Sequence, residues 1–286
     1  MTQKFGRDLA ELAELPIALR DGSFAGQVAV ISGAGTGIGR ATAIFLARLG
    51  ADLVICGRRQ EILEETAGAA RALGRRVLVV PASIRDAEAV DDIFAKGWAE
   101  FGKIDILVNN AGGQFPQAAI DFSTKGWNAV IDTNLNGPWY MMQSAARRWR
   151  DAGMAGAIVN VVAVVQRGMP GVAHTCAARA GVIHLSKTLA IEWAPLNIRI
   201  NCVAPGIIST EGMRVYPPEA VENMPRSNPM MRFGQVEDVA NAICFLAGEG
   251  GRFMTGEVVT IDGGFQVWGS QWTIPEPAYF RQGPNA

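Results

Sequence analysis

The stretch "QVAVISGAGTGIGR" (27–40) decides how the rest of the chain folds. "QVAVISG" (27–33) is a short β-branched run closed by a glycine, the pattern of a strand buried on both faces. "IGRATAIFLARLG" (38–50) then places apolar residues at helical spacing and ends on a glycine. Between them Gly33, Gly37 and Gly39 are spaced G-x3-G-x-G. Glycines let a backbone approach a ligand closely, and a helix N-terminus offers free N–H groups and the positive end of a dipole. Strand, glycine turn and helix in that order predict a cradle for a pyrophosphate.

The same alternation runs outward from this unit. "ADLVICG" (51–57) reads as a strand, 60–73 as a polar helix, and "RRVLVVPA" (75–82) as the third strand. An amphipathic helix (86–101) leads to "KIDILVNNAG" (103–112), the fourth. A long helical tract (123–152) precedes the strand "AIVNVVAV" (157–164), and the helix "GVIHLSKTLAIEWA" (181–194) precedes the strand "NIRINCVAPG" (197–206). The helix "VEDVANAICFLAG" (236–248) and the strand "EVVTIDGG" (257–264) close the pattern. This predicts a doubly wound α/β fold, a parallel sheet with helices on both faces, as a single domain over 25–264. Ligands of such sheets bind past the carboxyl ends of the strands, where the strand order reverses. Residues 1–24 read as an N-terminal extension and 265–286 as a C-terminal arm. The arm carries Phe265, Trp268, Trp272, Tyr279 and Phe280, which must be buried on the chain's own domain or on a neighbouring subunit.

A formal net charge of −1 over 286 residues gives no bulk attraction for nucleic acid or an anionic membrane. Arg147, Arg148 and Arg150 read as a solvated helix face. No charge-free stretch of about 18 apolar residues exists, and the N-terminus mixes charges into every turn, unlike a signal peptide. Nor is "GPNA" at the C-terminus a peroxisomal address. Cys56, Cys176, Cys202 and Cys244 are dispersed in apolar surroundings, as buried free thiols are. With His174 and His184 the only histidines, no metal site is expected. A cytoplasmic protein is expected.

The end of the second strand chooses the cofactor. An acidic residue there would bind the adenosine ribose hydroxyls of NAD. Here Gly57 is followed by Arg58 and Arg59, so a 2′-phosphate would meet positive charge. The expectation is NADP(H).

The 33–39 glycine loop, "NNAG" (109–112), "TNLNG" (133–137), "AARAG" (177–181), "RINCVAPG" (199–206) and "TGEVVTIDGG" (255–264) together resemble the short-chain dehydrogenase/reductase family. The resemblance implies a Rossmann-type sheet of seven parallel strands and a homodimer or homotetramer. "NNAGGQF", "STKGWNAVIDTNLNG", "VAHTCAARAGV" and "LAIEWA" are similar to the peroxisomal trans-2-enoyl-CoA reductases and, more distantly, the 2,4-dienoyl-CoA reductases. Those enzymes use NADPH to reduce a double bond conjugated to a thioester. By carry-over, Ile38 of the loop, Ile84, Asn110, Ala111, Gly112, Pro205, Gly206 and Thr210 line the cofactor site, with Ile208 beside the nicotinamide amide. Ser83 stands where most members have an acidic residue.

The family works with Asn, Ser, Tyr and Lys. Here Asn134 is present, the serine place falls on Val162 or Ala163, the tyrosine place is Thr175 and the lysine place is Arg179. An alcohol dehydrogenase needs a general base whose pKa can be brought near neutrality, and one arginine cannot tune a threonine that far. Reducing an enoyl thioester asks instead for hydrogen-bond donors aimed at a developing enolate. Thr175 can donate one bond, and His174 or a backbone N–H another; Arg179 can grip the ribose hydroxyls. Thr175 also reads as a helix-start hydroxyl, His174 as structural or substrate-adjacent, and His184 as a core or interface histidine. The proline-rich segment 209–234 reads as a lid. Its Met213, Met224, Met230 and Met231 offer a soft inner face for an acyl chain, or fill a gap under the loop. One of Arg214, Arg226 and Arg232 could meet the CoA phosphates. The expected activity is NADPH-dependent reduction of 2-enoyl-CoA thioesters. The alternatives are an NADP-dependent alcohol, ketone or 3-hydroxyacyl dehydrogenase with His174 as base, and a non-catalytic nucleotide-binding scaffold.

Overall fold

The computed structural model describes residues 5–269, Thr273 and Pro275. Seven strands carry the sheet: β1 (Val28–Ser32), β2 (Asp52–Gly57), β3 (Val77–Pro81), β4 (Ile106–Asn109), β5 (Gly156–Val161), β6 (Ile198–Pro205) and β7 (Val258–Ile261). Their order is β3-β2-β1-β4-β5-β6-β7, and every pairing is parallel. The order reverses between β1 and β4, which opens a crevice at their carboxyl ends.

Side chains alternate across each strand. Ala29 and Ile31 of β1 face a layer made by α2 (Gly37–Arg48), α3 (Gln60–Ala72) and α9 (Val236–Ala247). Val28 and Val30 face the opposite layer, made by α4 (Ala87–Phe101) and α6 (Gly137–Ala152). Each layer buries large side chains, Phe45 and Leu63 in the first, Phe94 and Trp149 in the second. Burying one such side chain contributes roughly 1.5–3 kcal/mol. Trp149 also donates its indole N–H to the Ile104 carbonyl at 2.6 Å, so its polar edge is satisfied in the core. On the same side as α6, α7 (Ala173–Glu192) lays Val182 and Ile183 over Cys202 and Ala204 of β6.

Four elements depart from the sequence expectation. The helical tract 123–152 is two helices, α5 (Thr124–Ile131) and α6, joined by a turn of π-helix at Asp132–Asn136. The helix expected at 181–194 starts eight residues earlier, at Ala173. Its first turns, "AHTCAARA", are helix-favouring alanines without the large apolar residues that make a period visible. The last strand stops at Ile261, because Gly263 and Gly264 take φ of +61° and +87°. The lid is not open loop either: it holds α8 (Pro218–Asn223) between two short 3-10 turns.

The N-terminal extension is tied down. α1 (Leu9–Glu14) begins with a reciprocal cap between Asp8 and Glu11, and buries Leu12 against the first layer. Arg7 pairs with Glu237 of α9 at 2.7 Å. At the other end Phe265 packs on the third cluster, while Trp272, Tyr279 and Phe280 lie outside the described residues. All four cysteines are free; Cys176 is half-buried, unlike the other three.

Candidate active site

The crevice between β1 and β4 is stitched by side chains. Ser32 Oγ accepts from the N–H groups of Asn110 and Ala111, each at 3.1 Å. Asn110 Nδ2 donates to the Ser32 and Gly33 carbonyls, also at 3.1 Å. Gly33 takes φ +68°, and a Cβ on Gly39 would lie 2.3 Å from Asn110 Nδ2, so the turn admits no side chain there. The cleft so formed is about 220 Å³, lined by Gly33, Arg58, Arg59, Ser83, Ile84, Asn110, Ala111 and Gly112, among others. Arg58 and Arg59 are exposed at its rim, and neither side chain has a bonded partner among the described residues. Gly37 and Ile38 open α2; the Thr210 methyl lies 3.3 Å from where a Cβ on Gly37 would be, and Ile38 packs into the first layer. These features fit a dinucleotide phosphate: a glycine cradle, a helix N-terminus and two unpaired cations.

Ile208, expected beside the nicotinamide amide, lies just past the end of β6 at Pro205. It forms a single parallel bridge with Gly234, and its side chain lines a second cavity of about 570 Å³. The bridge uses the Ile207 carbonyl and the Ser209 N–H. Successive peptide groups of extended backbone point to opposite sides, so the N–H and C=O of Ile208 face away from Gly234 without a backbone partner. Its backbone, not its side chain, is what a carboxamide could meet. Pro205 ends β6, and Gly206 lies so close to Asp262 that a Cβ would sit 2.8 Å from its Cα.

The reactive cluster is built on α7 and the π turn. Thr175 and Arg179 are four residues apart on a helix and share a face. Arg179 is 7% exposed and covers Gly112, where a Cβ would lie 2.2 Å from its Nη2. It has no hydrogen bond or ion pair with any described residue. Burial brings its pKa down to about 10, with Cys202 opposing the shift, so it stays cationic at neutral pH. Asn134 is buried, and its amide both donates to the Gly113 carbonyl (2.9 Å) and accepts from the Gly113 N–H (3.0 Å). Most of its capacity therefore goes to holding the loop after β4.

His174, read as structural, substrate-adjacent or a proton donor, stands among aromatic rings. Its ring is fully buried, stacked on Phe122 at 4.5 Å and edge-on to Phe115 at 4.7 Å. Nδ1 accepts from the Thr175 N–H at 2.7 Å, with Thr175 Oγ1 3.3 Å away. Burial lowers its pKa, against weaker pulls from the Phe115 and Val172 backbones, which favours the neutral ring. Its ring is closed to solvent, and Nε2 is buried without a hydrogen-bond partner among the described residues. Val162 is in the core and cannot donate. His184 is exposed on α7, which excludes the core reading.

Several residues of the site left no mark in the sequence pattern. Ser32 looks like part of the glycine loop. Below the crevice, Asn109 Nδ2 donates to Asn160 (2.8 Å), and Asn160 Nδ2 donates to Ser186 (2.9 Å), linking β4, β5 and α7 through a buried polar chain. Gln114 donates from Nε2 to the Tyr216 hydroxyl, joining the loop after β4 to the lid. Burial raises the Tyr216 pKa, partly offset by that bond. On the lid, Met230 is exposed and lines the second cavity, so the methionines do not share one inner face. Arg232 is engaged by Asp238 at 3.6 Å, whereas Arg214 and Arg226 are exposed and without an ion pair among the described residues.

Residues 33–266 match a family profile described as enoyl-(acyl carrier protein) reductase. A Bacillus subtilis protein named probable 2,4-dienoyl-CoA reductase is 36% identical over 253 residues, covering 87% of this chain and 97% of that protein. The Thermotoga maritima 3-oxoacyl-(acyl-carrier-protein) reductase FabG is also 36% identical, over 85% of this chain and 98% of its own length. Among solved structures, the citronellol catabolism dehydrogenase AtuB of Pseudomonas aeruginosa superposes with a TM-score of 0.78 at 39% identity, over 87% of this chain and 98% of that one. The parallel sheet, the glycine cradle at its switch point and these likenesses over most of the length make this chain a member of the short-chain dehydrogenase/reductase family, an oxidoreductase that works with a nicotinamide dinucleotide.

Proposed function

We propose that the enzyme reduces the carbon–carbon double bond of 2-enoyl-CoA thioesters with NADPH. One observation carries this: among the described residues the reactive cluster has donors and a cation but no base near neutrality. Thr175 holds the tyrosine place, the His174 ring is enclosed, and burial moves Tyr216 away from neutral pH. Taking a proton from an alcohol needs a tunable base; steadying charge on a thioester oxygen needs only aimed dipoles. The relatives do not choose between these chemistries, since carbonyl and enoyl reductases are equally similar.

The bound dinucleotide supplies the hydride. Arg58 and Arg59 would meet its 2′-phosphate, the Ile208 N–H and C=O would pair with its carboxamide, and Arg179 would hold the ribose hydroxyls. Ser83 leaves the adenine pocket without an acidic side chain. Thr175 donates its hydroxyl hydrogen to the thioester oxygen, where charge collects as the β-carbon is reduced; the α-carbon then takes a proton from water. Arg214 and Arg226 lie free to meet CoA phosphates. His184 and Ile191, seven residues apart and both exposed on α7, mark the stripe on which a second copy would pack. Crotonyl-CoA should be converted to butyryl-CoA with matching NADPH loss. NADPH binding without turnover on any thioester or carbonyl would favour a scaffold instead.

A further inference from the structure

The lid meets the loop after β4 through the Gln114–Tyr216 hydrogen bond. Both sides of this contact are anchored. Gly113 is held at its N–H and its C=O by Asn134, so Gln114 leaves the loop beside the Thr175–Arg179 cluster. On the lid, Thr210 rests against Gly37 at the N-terminus of α2. Tyr216 follows six residues later, a reach of at most about 20 Å. The lid therefore crosses from the phosphate end of the cleft to its reactive end, and the Tyr216 N–H bonds back to the Met213 carbonyl at 3.1 Å to close its turn.

A phenol has one donor hydrogen and acceptor lone pairs. Gln114 fills a lone pair, and the hydroxyl hydrogen has no acceptor among the described residues. We propose that Tyr216 is a catalytic residue whose O–H donates to the thioester carbonyl oxygen of the acyl substrate, and that Gln114 is the positioning residue that keeps this hydrogen turned into the cleft. The proposal rests on the enoyl-thioester reading above. The family's tyrosine reaches substrate from the helix that carries Thr175; here the phenol comes from the lid. Burial keeps the hydroxyl protonated, which suits a donor and not a base.

Two isosteric variants test this. Tyr216→Phe keeps the ring and removes the hydrogen. Its kcat with crotonyl-CoA should fall about a hundredfold, the usual loss for one oxyanion donor, with NADPH affinity within twofold of wild type. Gln114→Glu keeps the shape but accepts the Tyr216 hydrogen, so it should match Tyr216→Phe, while a mere latch would survive with its hydrogen bond reversed. A binding readout is independent of turnover: acetoacetyl-CoA bound to the NADP⁺ complex should show the ultraviolet band of its enolate in wild type and lose it in both variants. Should wild type reduce no enoyl-CoA yet show a Tyr216-dependent band, the donor stands and the substrate reading fails. Unchanged kcat and band in Tyr216→Phe, or in Gln114→Glu, would overturn the assignment.

Discussion

Arg179 is a buried cation without a hydrogen-bond or ion-pair partner among the described residues, an arrangement that costs folding energy and suits a ligand. Its pKa, lowered by burial to about 10, says that the unfolded chain holds this proton more tightly. At neutral pH both states are charged, so the cost is fully present. Arg179→Met should therefore stabilise the apo fold by ~1–3 kcal/mol in denaturant unfolding while weakening NADPH binding at least tenfold; a less stable variant would show that the guanidinium holds the fold together. His174 gives a pH signature. Its folded pKa lies below the ordinary 6.5, so the stability it contributes is present above that value and is lost as pH falls below it. His174→Phe should flatten the fall in melting temperature between pH 7 and 5, a slope of at most about 1.4 kcal/mol per pH unit. Thr175 and Arg179 were legible because they interrupt a familiar pattern. The enclosure of His174 was not, because Phe115 and Phe122 come from a distant loop and carry no periodic signal.

At the scale of elements, the strand–helix alternation is visible because both-face burial leaves unbroken apolar runs and amphipathic helices leave a period. The π turn at Asp132–Asn136 is invisible to such reasoning, since one extra residue per turn leaves the apolar spacing on either side intact. It is nevertheless what points Asn134 at Gly113. The cradle makes a sharp demand: Gly39→Ala would drive a methyl into Asn110 and the Gly33 carbonyl. That variant should lose dinucleotide binding by more than tenfold in fluorescence titration and lower the melting temperature; intact binding would mean the two loops are not locked together. On the proposed reading the rim arginines choose the cofactor. Replacing both Arg58 and Arg59 by Ser should cut NADPH affinity by about 10–100-fold, since a hydrogen bond to a charged group is worth roughly 1.5–3 kcal/mol. NADH affinity should stay nearly constant, and an equal loss for both cofactors would place the 2′-phosphate elsewhere.

At the scale of the molecule, the chain wraps a generic dinucleotide platform with its own additions. The N-terminal segment braces the lid at both ends: the Gly6 N–H donates to Ser209 Oγ at 3.3 Å, and Phe5 stacks edge-on against Phe233. The lid returns from Tyr216 through α8 to Gly234 and pairs there with the strand end at Ile208. The bracing by the N-terminal segment was not readable beforehand, because its contacts join residues about two hundred positions apart. What the proposal asks of the molecule is a pocket that offers hydrogens and positive charge to a transient oxyanion, with no group among the described residues placed to take a proton from an alcohol. The most direct test compares kcat/KM for crotonyl-CoA with that for acetoacetyl-CoA at saturating NADPH. Donors alone predict steady reduction of crotonyl-CoA at a rate at least a hundredfold above that of the ketone; faster ketone reduction, or oxidation of the matching 3-hydroxy thioester with NADP⁺, would contradict it.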